Sequence, residues 1–482
     1  MQGKSEDEFE LVVIGAGPAG EKGAVQAAYF GHRVLVVEKA SEPGGAAVHT
    51  GTLPSKTLRE TALYLSGYRA RDMYGISVKL EDAHAAVPRL IARKDVIAAT
   101  ESARIRANLL KHGVELAQGA ASFVEPGVVE IAGPNGKRRV KGKFFLIATG
   151  SVPRNPPDVP IAEPDVYDSD EILSIDELPH RLVVLGAGVI GCEYACMFAA
   201  LGVKVVLVEA KTQFLPFLDH EIGQKLEEVM ETSLNIEILK GARWGAVHRA
   251  PSGRLLCDLM DGPNDAKGQP TIGTVLECEK LLFAAGRVGN TQGLALESIG
   301  LKADPRGAIA VNEHYQTTVA NVYAAGDVIG FPALASTSME QARVAVCHAF
   351  GIDYKQAVDS LLPYGIYTIP EVSTAGETEE TARAQHIDYV VGRAFFKDNA
   401  RGLIQGDVDG ILKLIVHRQT RRLIGVHILG DRATELVHIG QAVMTLGGTV
   451  DVLIQMVFNY PTLAESYKYA AYSALGALSK PV

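Results

Sequence analysis

The feature that most constrains this chain is a pattern that occurs twice. The apolar run Leu11-Val12-Val13-Ile14 opens onto Gly15-Ala16-Gly17-Pro18-Ala19-Gly20 and a stretch of small residues, and a second apolar run, Val34 to Val37, ends in Glu38. The succession returns at Leu182-Val183-Val184-Leu185, Gly186-Ala187-Gly188-Val189-Ile190-Gly191 and Val203 to Val208, ending in Glu209. In both copies the acid follows the first glycine by 23 residues. Each copy predicts a strand, a tight turn, a helix and a second, parallel strand. The first glycine permits the turn, the second lets backbone approach a pyrophosphate, and the third allows helix and strand to pack closely. The helix N-terminus offers N–H groups to phosphate, and the acid is placed for ribose hydroxyls. One G-x-G-x-x-G alone could be a structural turn. Two complete copies imply two dinucleotide sites.

Composition narrows the partners. The chain has 482 residues, 49 glycines and 47% hydrophobic residues, enough for several domains of α/β type. A net charge of −9 without a basic block argues against nucleic acid and anionic membrane as partners. No uncharged apolar run reaches ~18 residues, so no membrane span is expected. The acidic start MQGKSEDEFE is unlike a targeting peptide. The five cysteines (Cys192, Cys196, Cys257, Cys278, Cys347) lack metal-ligand spacing, and no metal is expected. Cys192 and Cys196, one helical turn apart, read as buried packing, and the expected compartment is a reducing cytoplasm.

Between and beyond the two copies the elements alternate. Residues 84–112 carry a helical apolar stripe through Leu90, Ile91, Val96, Ile97, Ile105, Leu109 and Leu110. A β-rich passage ends in Phe144-Phe145-Leu146-Ile147-Ala148-Thr149-Gly150. The prolines of Ser151 to Pro160 predict a linker rather than a helix or central strand. From about residue 354 the pattern changes, with strands at Ile411–His417 and Leu423–Leu429 and helices near 432–446 and 464–478.

These motifs, taken in order, resemble the flavoprotein disulfide reductases, the family of dihydrolipoamide dehydrogenase and glutathione reductase. The stretch Glu38 to Glu60, with Gly44-Gly45 and Pro54-Ser55-Lys56, is similar to the segment lying against the flavin in that family. Ala148-Thr149-Gly150, Ala284-Ala285-Gly286-Arg287 and Ala324-Ala325-Gly326-Asp327 match further family motifs. The resemblance implies two Rossmann-type domains, for FAD and NAD(P), plus a C-terminal α+β dimerisation domain. The expected boundaries are 1–155 and 281–353 for the FAD domain, 156–280 for the NAD(P) domain and 354–482 for the interface domain. It departs at the family's redox disulfide, whose C-x4-C positions here hold Ala47 and Thr52. The partner subunit's catalytic histidine is missing as well, because the H-P-T-x-x-E pattern reads Tyr460-Pro461-Thr462-Leu463-Ala464-Glu465. A phenol with a pKa of about 10 is a poor base near neutrality.

Within the family, the marks GG-x-x-x-H-x-GT-x-PSK around His49, GVIGCEYA at 188–195 and FNYPT at 458–462 resemble the soluble pyridine nucleotide transhydrogenase group. That group usually keeps the first cysteine, so Ala47 is a departure. The resemblance implies that FAD is held by Gly15, Gly17, Pro18, Ala19, Gly20, Glu38, Lys39, Gly44, Gly45, Thr52, Lys56, Ala121, Thr149, Gly150, Ser151, Asp327, Ala333, Leu334, Ala335 and Ser336. Asp327 would bond the ribityl chain, and a helix starting near Leu334 would aim its N-terminus at the flavin pyrimidine, where a positive dipole end favours negative charge. NAD(P) would be held by Gly186, Gly188, Val189, Ile190, Gly191, Glu193, Glu209, Trp244 and Gly286. Lys56 and Glu193 are the expected catalytic pair, a cation held where hydride arrives. Several positions have blander readings. Thr52 reads equally as a helix N-cap, Trp244 and Val189 as core, and His49 as a satisfied polar group.

The implied activity is transfer of hydride between NADPH and NAD+ through flavin N5, ping-pong and without a disulfide, in a homodimer or larger homo-oligomer. An NAD(P)H:quinone or dye reductase is the alternative enzyme, and a non-catalytic FAD/NAD(H)-binding sensor the alternative of another class.

Overall fold

The structure is a computed structural model and describes residues 7–67, 83–161, 163–262, 269 and 271–479. The stretch Met1–Glu6 and the Leu90 side chain, both named above, lie outside the described residues. The chain divides into two compact units. The first comprises Met1–Thr57, Ile91–Arg154 and Gly286–Asp359, the second Leu58–Leu90, Asn155–Ala285 and Ser360–Val482.

The first unit is organised by a seven-stranded sheet. Its parallel part contains β1 (Glu8–Ile14), β2 (Val34–Glu38) and β3 (Glu115–Gln118), together with the second half of β6 (Gly136–Ile147) and β17 (Val322–Ala324). The first half of β6 pairs antiparallel with β5 (Val128–Gly133), and β5 with β4 (Ala120–Glu125). The apolar runs Leu11–Ile14 and Val34–Val37 are buried throughout, as strands covered on both faces must be. Helix α1 (Pro18–Tyr29) and α7 (Ala335–Phe350) pack together on one face. A Cβ on Gly23 of α1 would sit 2.6 Å from Leu146 Cδ2 and 3.3 Å from Ala342 Cβ, so the missing side chain sets how close they lie. Helices α2 (Gly45–His49), α3 (Thr52–Ser66) and α4 (Ala83–Lys111) follow β2. The sequence read α4 as a helix over 84–112.

The proline-rich segment expected to be a plain linker begins instead as a strand. Here β7 (Ser151–Pro153) pairs antiparallel with β16 (Arg287–Gly289) in a two-stranded ribbon. Pro153 is tolerated there because such a ribbon is all edge.

The second unit repeats the parallel plan. A five-stranded sheet runs β11 (Glu237–Lys240), β10 (Lys204–Glu209), β9 (Arg181–Leu185), β15 (Lys280–Phe283) and β8 (Val166–Asp168), with α5 (Val189–Ala200) and α6 (His220–Thr232). An antiparallel meander of β12 (Trp244–Arg249), β13 (Leu255–Leu259) and β14 (Val275–Cys278) shares its core.

In the same unit, an antiparallel sheet orders β18 (Tyr364–Ile366), β19 (Val372–Gly376), β22 (Leu423–Leu429), β21 (Ile411–His417) and β20 (Tyr389–Phe395). Two short helices, α8 (Glu379–Ala384) and α9 (Ala400–Gln405), lie between its strands in sequence. Helices α10 (Ala433–Thr445) and α12 (Ser466–Leu478) cover the sheet, and a short α11 (Val450–Gln455), unforeseen in the sequence, lies between them. Mixed α/β architecture is the expected class.

Candidate active site

In the first unit the glycine turn works by close approach. Gly15 has φ of 104°, and a Cβ on Gly20 would fall 1.8 Å from Gly15 O, an overlap no relaxation of a helix packed on its strand absorbs. Gly17 faces space, with Gly45 Cα, 3.7 Å from its would-be Cβ, the nearest atom. It is the N-cap of α1, with Pro18 beginning the helix, and no side chain caps that end. The first-turn N–H groups are therefore left for a ligand, and the dipole favours an anion there. Glu38 closes the turn, accepting from Ala16 N–H at 2.8 Å and Ala40 N–H at 2.9 Å.

Around this turn lie the other predicted flavin positions of the unit. Gly44 and Gly45 have φ of 130° and 57°, and Gly44 N–H donates to Ala16 O at 2.9 Å. Ser151 Oγ donates to Asp327 at 2.8 Å, and Arg287 fixes Ser151 through its Oγ and carbonyl, both at 2.9 Å. Gln341, buried, accepts from Gly326 N–H at 2.9 Å and holds the Asp327 turn from α7. Leu334 is the N-cap of α7, again without a side-chain cap, so the helix end formed by Ala333 to Ser336 keeps its N–H groups open. Arg287 and Gln341 were missed as site residues. The Ala-Ala-Gly-Arg motif was a signal for Arg287, but nothing near Gln341 was one.

The segment expected to face the flavin carries no thiol. Ala47 sits on α2 and Thr52 is exposed at the start of α3. Lys56 is half-buried on α3 and donates to Ser55 Oγ at 3.3 Å. His49 is a satisfied polar group, its Nε2 3.1 Å from Pro43 O and 3.3 Å from Ser102 Oγ.

The second unit reproduces the turn almost atom for atom. Gly186 has φ of 103°, and a Cβ on Gly191 would fall 1.9 Å from Gly186 O. Gly188 is the uncapped N-cap of α5, and a Cβ there would meet nothing within 4 Å. Glu209 accepts from Ala187 N–H and Lys211 N–H, both at 2.9 Å. Val189 and Ile190 are half-buried beside the turn, so Val189 is not core. Trp244 meets Phe283 edge-on at 5.8 Å and packs against the domain core, the blander of its two readings. Glu193, 5% exposed on α5, accepts from Tyr367 N–H at 2.9 Å.

All five cysteines are reduced and buried. Burial pushes the Cys196 thiol up to about 12 and Cys192 well above its ordinary value, so neither offers a thiolate. No group of metal-ligating side chains occurs among the described residues, and no described helix is long and apolar enough to cross a membrane.

Residues 9–349 match the pyridine nucleotide-disulphide oxidoreductase family, and residues 362–471 match that family's dimerisation domain. The chain belongs to this family. It is accordingly an FAD-dependent oxidoreductase of pyridine nucleotides. Soluble pyridine nucleotide transhydrogenase from Mycobacterium bovis (strain BCG / Pasteur 1173P2) is 43% identical over 473 residues, 98% of each chain. The enzyme of that name from Pseudomonas aeruginosa (strain LESB58) is 39% identical over 98% of this chain and 99% of its own. Among solved structures, the Cu(II) complex of the HOCl-induced flavoprotein disulfide reductase RclA from Escherichia coli superposes with a TM-score of 0.85. It shares 27% identity and covers 98% of this chain and 100% of its own. LpdA from Mycobacterium tuberculosis also has a TM-score of 0.85, at 28% identity, covering 96% and 99%. The family's cofactor fits the first unit. Thr149 Oγ1 is buried there without a hydrogen-bond partner, as a polar atom awaiting a ligand would be, beside an uncapped α1 and the space above Gly17.

Proposed function

We propose that this family member is an NAD(P)+ transhydrogenase, catalysing NADPH + NAD+ ⇌ NADP+ + NADH. The observation that carries the reading is a combination: two complete dinucleotide turns, and no thiol at position 47 or 52 or anywhere outside the buried cores. A chain that handles hydride and stores no electrons in sulfur needs only nucleotides as donor and acceptor. The names of its relatives at 38–43% identity support the same reading.

Bound FAD supplies the two-electron chemistry, taking hydride from one nucleotide and giving it to the other. The chain's residues bind and orient. Gly17, Glu38, Thr149 and the Ser151–Asp327 pair hold the flavin nucleotide, and the open N-terminus of α7 favours negative charge near the ring. Gly188 admits the pyrophosphate of NAD(P), Glu209 takes its ribose, and Val189 covers the nicotinamide. Lys56 supplies a cation where hydride arrives, and Glu193 is its acidic counterpart in the reaction. Donor and acceptor use one nicotinamide site in turn, so the kinetics are ping-pong. The dimerisation domain supports a homodimer, and its exposed Leu446, Val457 and Tyr460, the latter two 93% and 74% exposed, are the kind of surface a second copy covers.

The deciding experiment reduces the holoenzyme anaerobically with NADPH and then adds NAD+ or a quinone in parallel. Faster re-oxidation by NAD+ is expected, with parallel lines in double-reciprocal plots. Re-oxidation by quinone far faster than by NAD+ makes the protein a quinone reductase instead. Lys56→Met is expected to slow reduction by NADPH at least about tenfold with little change in KM; a loss confined to KM would assign Lys56 to uniform binding.

A further inference from the structure

Hairpin loops ordinarily run over the surface, because buried backbone must find partners for its N–H and C=O groups. The loop of the β18–β19 hairpin is an exception. Ile366 pairs with Val372, so the loop is Tyr367-Thr368-Ile369-Pro370-Glu371. Thr368, Ile369 and Glu371 are buried, and Tyr367 and Pro370 half-buried. Inside the loop Thr368 Oγ1 donates to Pro370 O at 2.7 Å. Other partners come from three helices within the second unit. Arg59, in that unit's part of α3, donates from Nε to Thr368 O at 2.9 Å, and its Nη1 meets Glu371 at 3.2 Å. Glu193 on α5 accepts from Tyr367 N–H at 2.9 Å. Thr434 on α10 donates to Glu371 from its backbone N–H at 3.3 Å and its hydroxyl at 2.9 Å.

A guanidinium as buried as Arg59, only 3% exposed, is costly unless it is paired and hydrogen-bonded. An apolar side chain would pack this face of α3 without that cost. What the cation adds is direction. Its planar fork engages a carbonyl near one end of the loop and a carboxylate at the other. Tyr367 stands between Ile366, held by the sheet, and Thr368, held by Arg59, so its N–H has a fixed aim at Glu193.

We infer that Arg59 is a positioning residue for the proposed hydride transfer, setting through the β18–β19 loop where the Glu193 carboxylate stands. The inference rests on the role given to Glu193 under that proposal. Arg59 acts on the loop and not on the reactants, and Glu371 is the counter-ion that keeps its fork aimed.

The test follows anaerobic reduction of the holoenzyme's flavin by NADPH, together with hydrogen exchange of the backbone amides from Tyr364 to Glu371. Arg59→Leu is expected to slow reduction about tenfold while the Kd for NADPH stays within about twofold, because a displaced carboxylate costs rate rather than uniform binding. Exchange at Tyr367 is expected to quicken about tenfold as its bond loosens. Arg59→Lys, which lacks the fork, is expected to recover only part of the rate. Arg59→Leu with Glu371→Gln leaves no buried charge unpaired and keeps a carbonyl for Thr434; it is expected to be as slow as Arg59→Leu with Tm near wild type. Lys413→Ala removes another buried cation from the same unit and is expected to lower Tm without slowing reduction. The deciding variant is Arg59→Leu with Glu193→Ala. It is expected to be no slower than Glu193→Ala alone, since the loop then has no carboxylate to position. Losses that multiply, unchanged exchange at Tyr367, an Arg59→Leu enzyme as fast as wild type, or a comparable slowing by Lys413→Ala overturns the inference and leaves Glu193 its role. Glu193→Ala reduced at the wild-type rate overturns that role and the inference with it. If the expected pattern holds while NADPH-reduced enzyme fails to pass hydride to NAD+, the positioning stands and the transhydrogenase reading falls.

Discussion

At the scale of single residues, glycines of one motif have separable tasks. Gly191 is required by packing, since any Cβ collides with Gly186 O, whereas Gly188 faces open space. Gly191→Ala is expected to destabilise the protein by about 3 kcal/mol, as overpacking does, visible as a lowered Tm. Gly188→Ala is expected to leave Tm nearly unchanged and weaken NAD(P)H binding at least about tenfold, because its methyl group occupies the pyrophosphate's approach. Equal loss of Tm in both would refute the distinction. Asp407 makes a pH prediction. Burial, with a smaller push from Asp431, raises its carboxyl to about 6, although it accepts from Asp431 N–H and Gly410 N–H. A folded pKa above the unfolded value of about 3.9 means the folded state gains a proton first, so this group costs stability above pH ~6 and the cost fades as pH falls toward ~4. Urea unfolding at pH 7 and pH 5 is expected to show the protein firmer at pH 5, by at most about 2 kcal/mol, and Asp407→Asn to abolish the difference.

At the scale of elements, β21 was legible and the role of its third residue was not. Ile411 to His417 reads as a strand, yet Lys413 within it is a charged side chain only 1% exposed. Its ammonium meets Asp219 at 2.7 Å, Glu221 at 2.8 Å and Glu379 at 2.6 Å, joining the N-terminal ends of α6 and α8 to the sheet within the second unit. Burial works to raise the carboxyls of Glu221 and Glu379, but the bonds from Arg393 and Lys413 outweigh it and hold Glu221 below its ordinary value, as Lys413 does for Glu379. Burial likewise works to lower Lys413, and the three carboxylates prevail and raise it. The network's contribution is therefore fully present between about pH 4.3 and 10.4, and is lost as pH falls through the depressed carboxylates or rises through the raised lysine. Lys413→Ala leaves buried carboxylates uncompensated and is expected to cost about 3–5 kcal/mol, read as a lowered urea midpoint at pH 7. A midpoint within experimental error of wild type would show that the carboxylates find other partners. Sequence periodicity recorded the apolar neighbours of Lys413 but not the acids, which arrive from residues 194 and 34 positions away.

At the scale of the whole molecule, one fold carries two dinucleotide turns and no sulfur relay. Anaerobic titration is expected to consume two electrons per FAD, and Ala47→Cys with Thr52→Cys is expected not to confer dihydrolipoamide turnover, because Tyr460 stands where the family's histidine would. Uptake of four electrons by the wild type would show that one of the buried cysteine pairs is redox-active after all. The fold class and the two turns were legible because their decisive contacts are local: Glu38 reaches a loop only 22 residues behind it, across strands that pair side by side. Ser151 joins Asp327 across 176 residues, and Arg287 joins Ser151 across 136. Gln341 and Lys413 likewise acquire their roles from partners brought near only when the sheets close. By itself the sequence determined the strands, the turns and the missing thiols, since spacing and residue type decide those. Which polar side chains buttress the flavin turn, and which buried cation is balanced by which acids, was decided by tertiary structure alone, because hydrogen bonds and ion pairs depend on ångström distances between elements that no local pattern encodes.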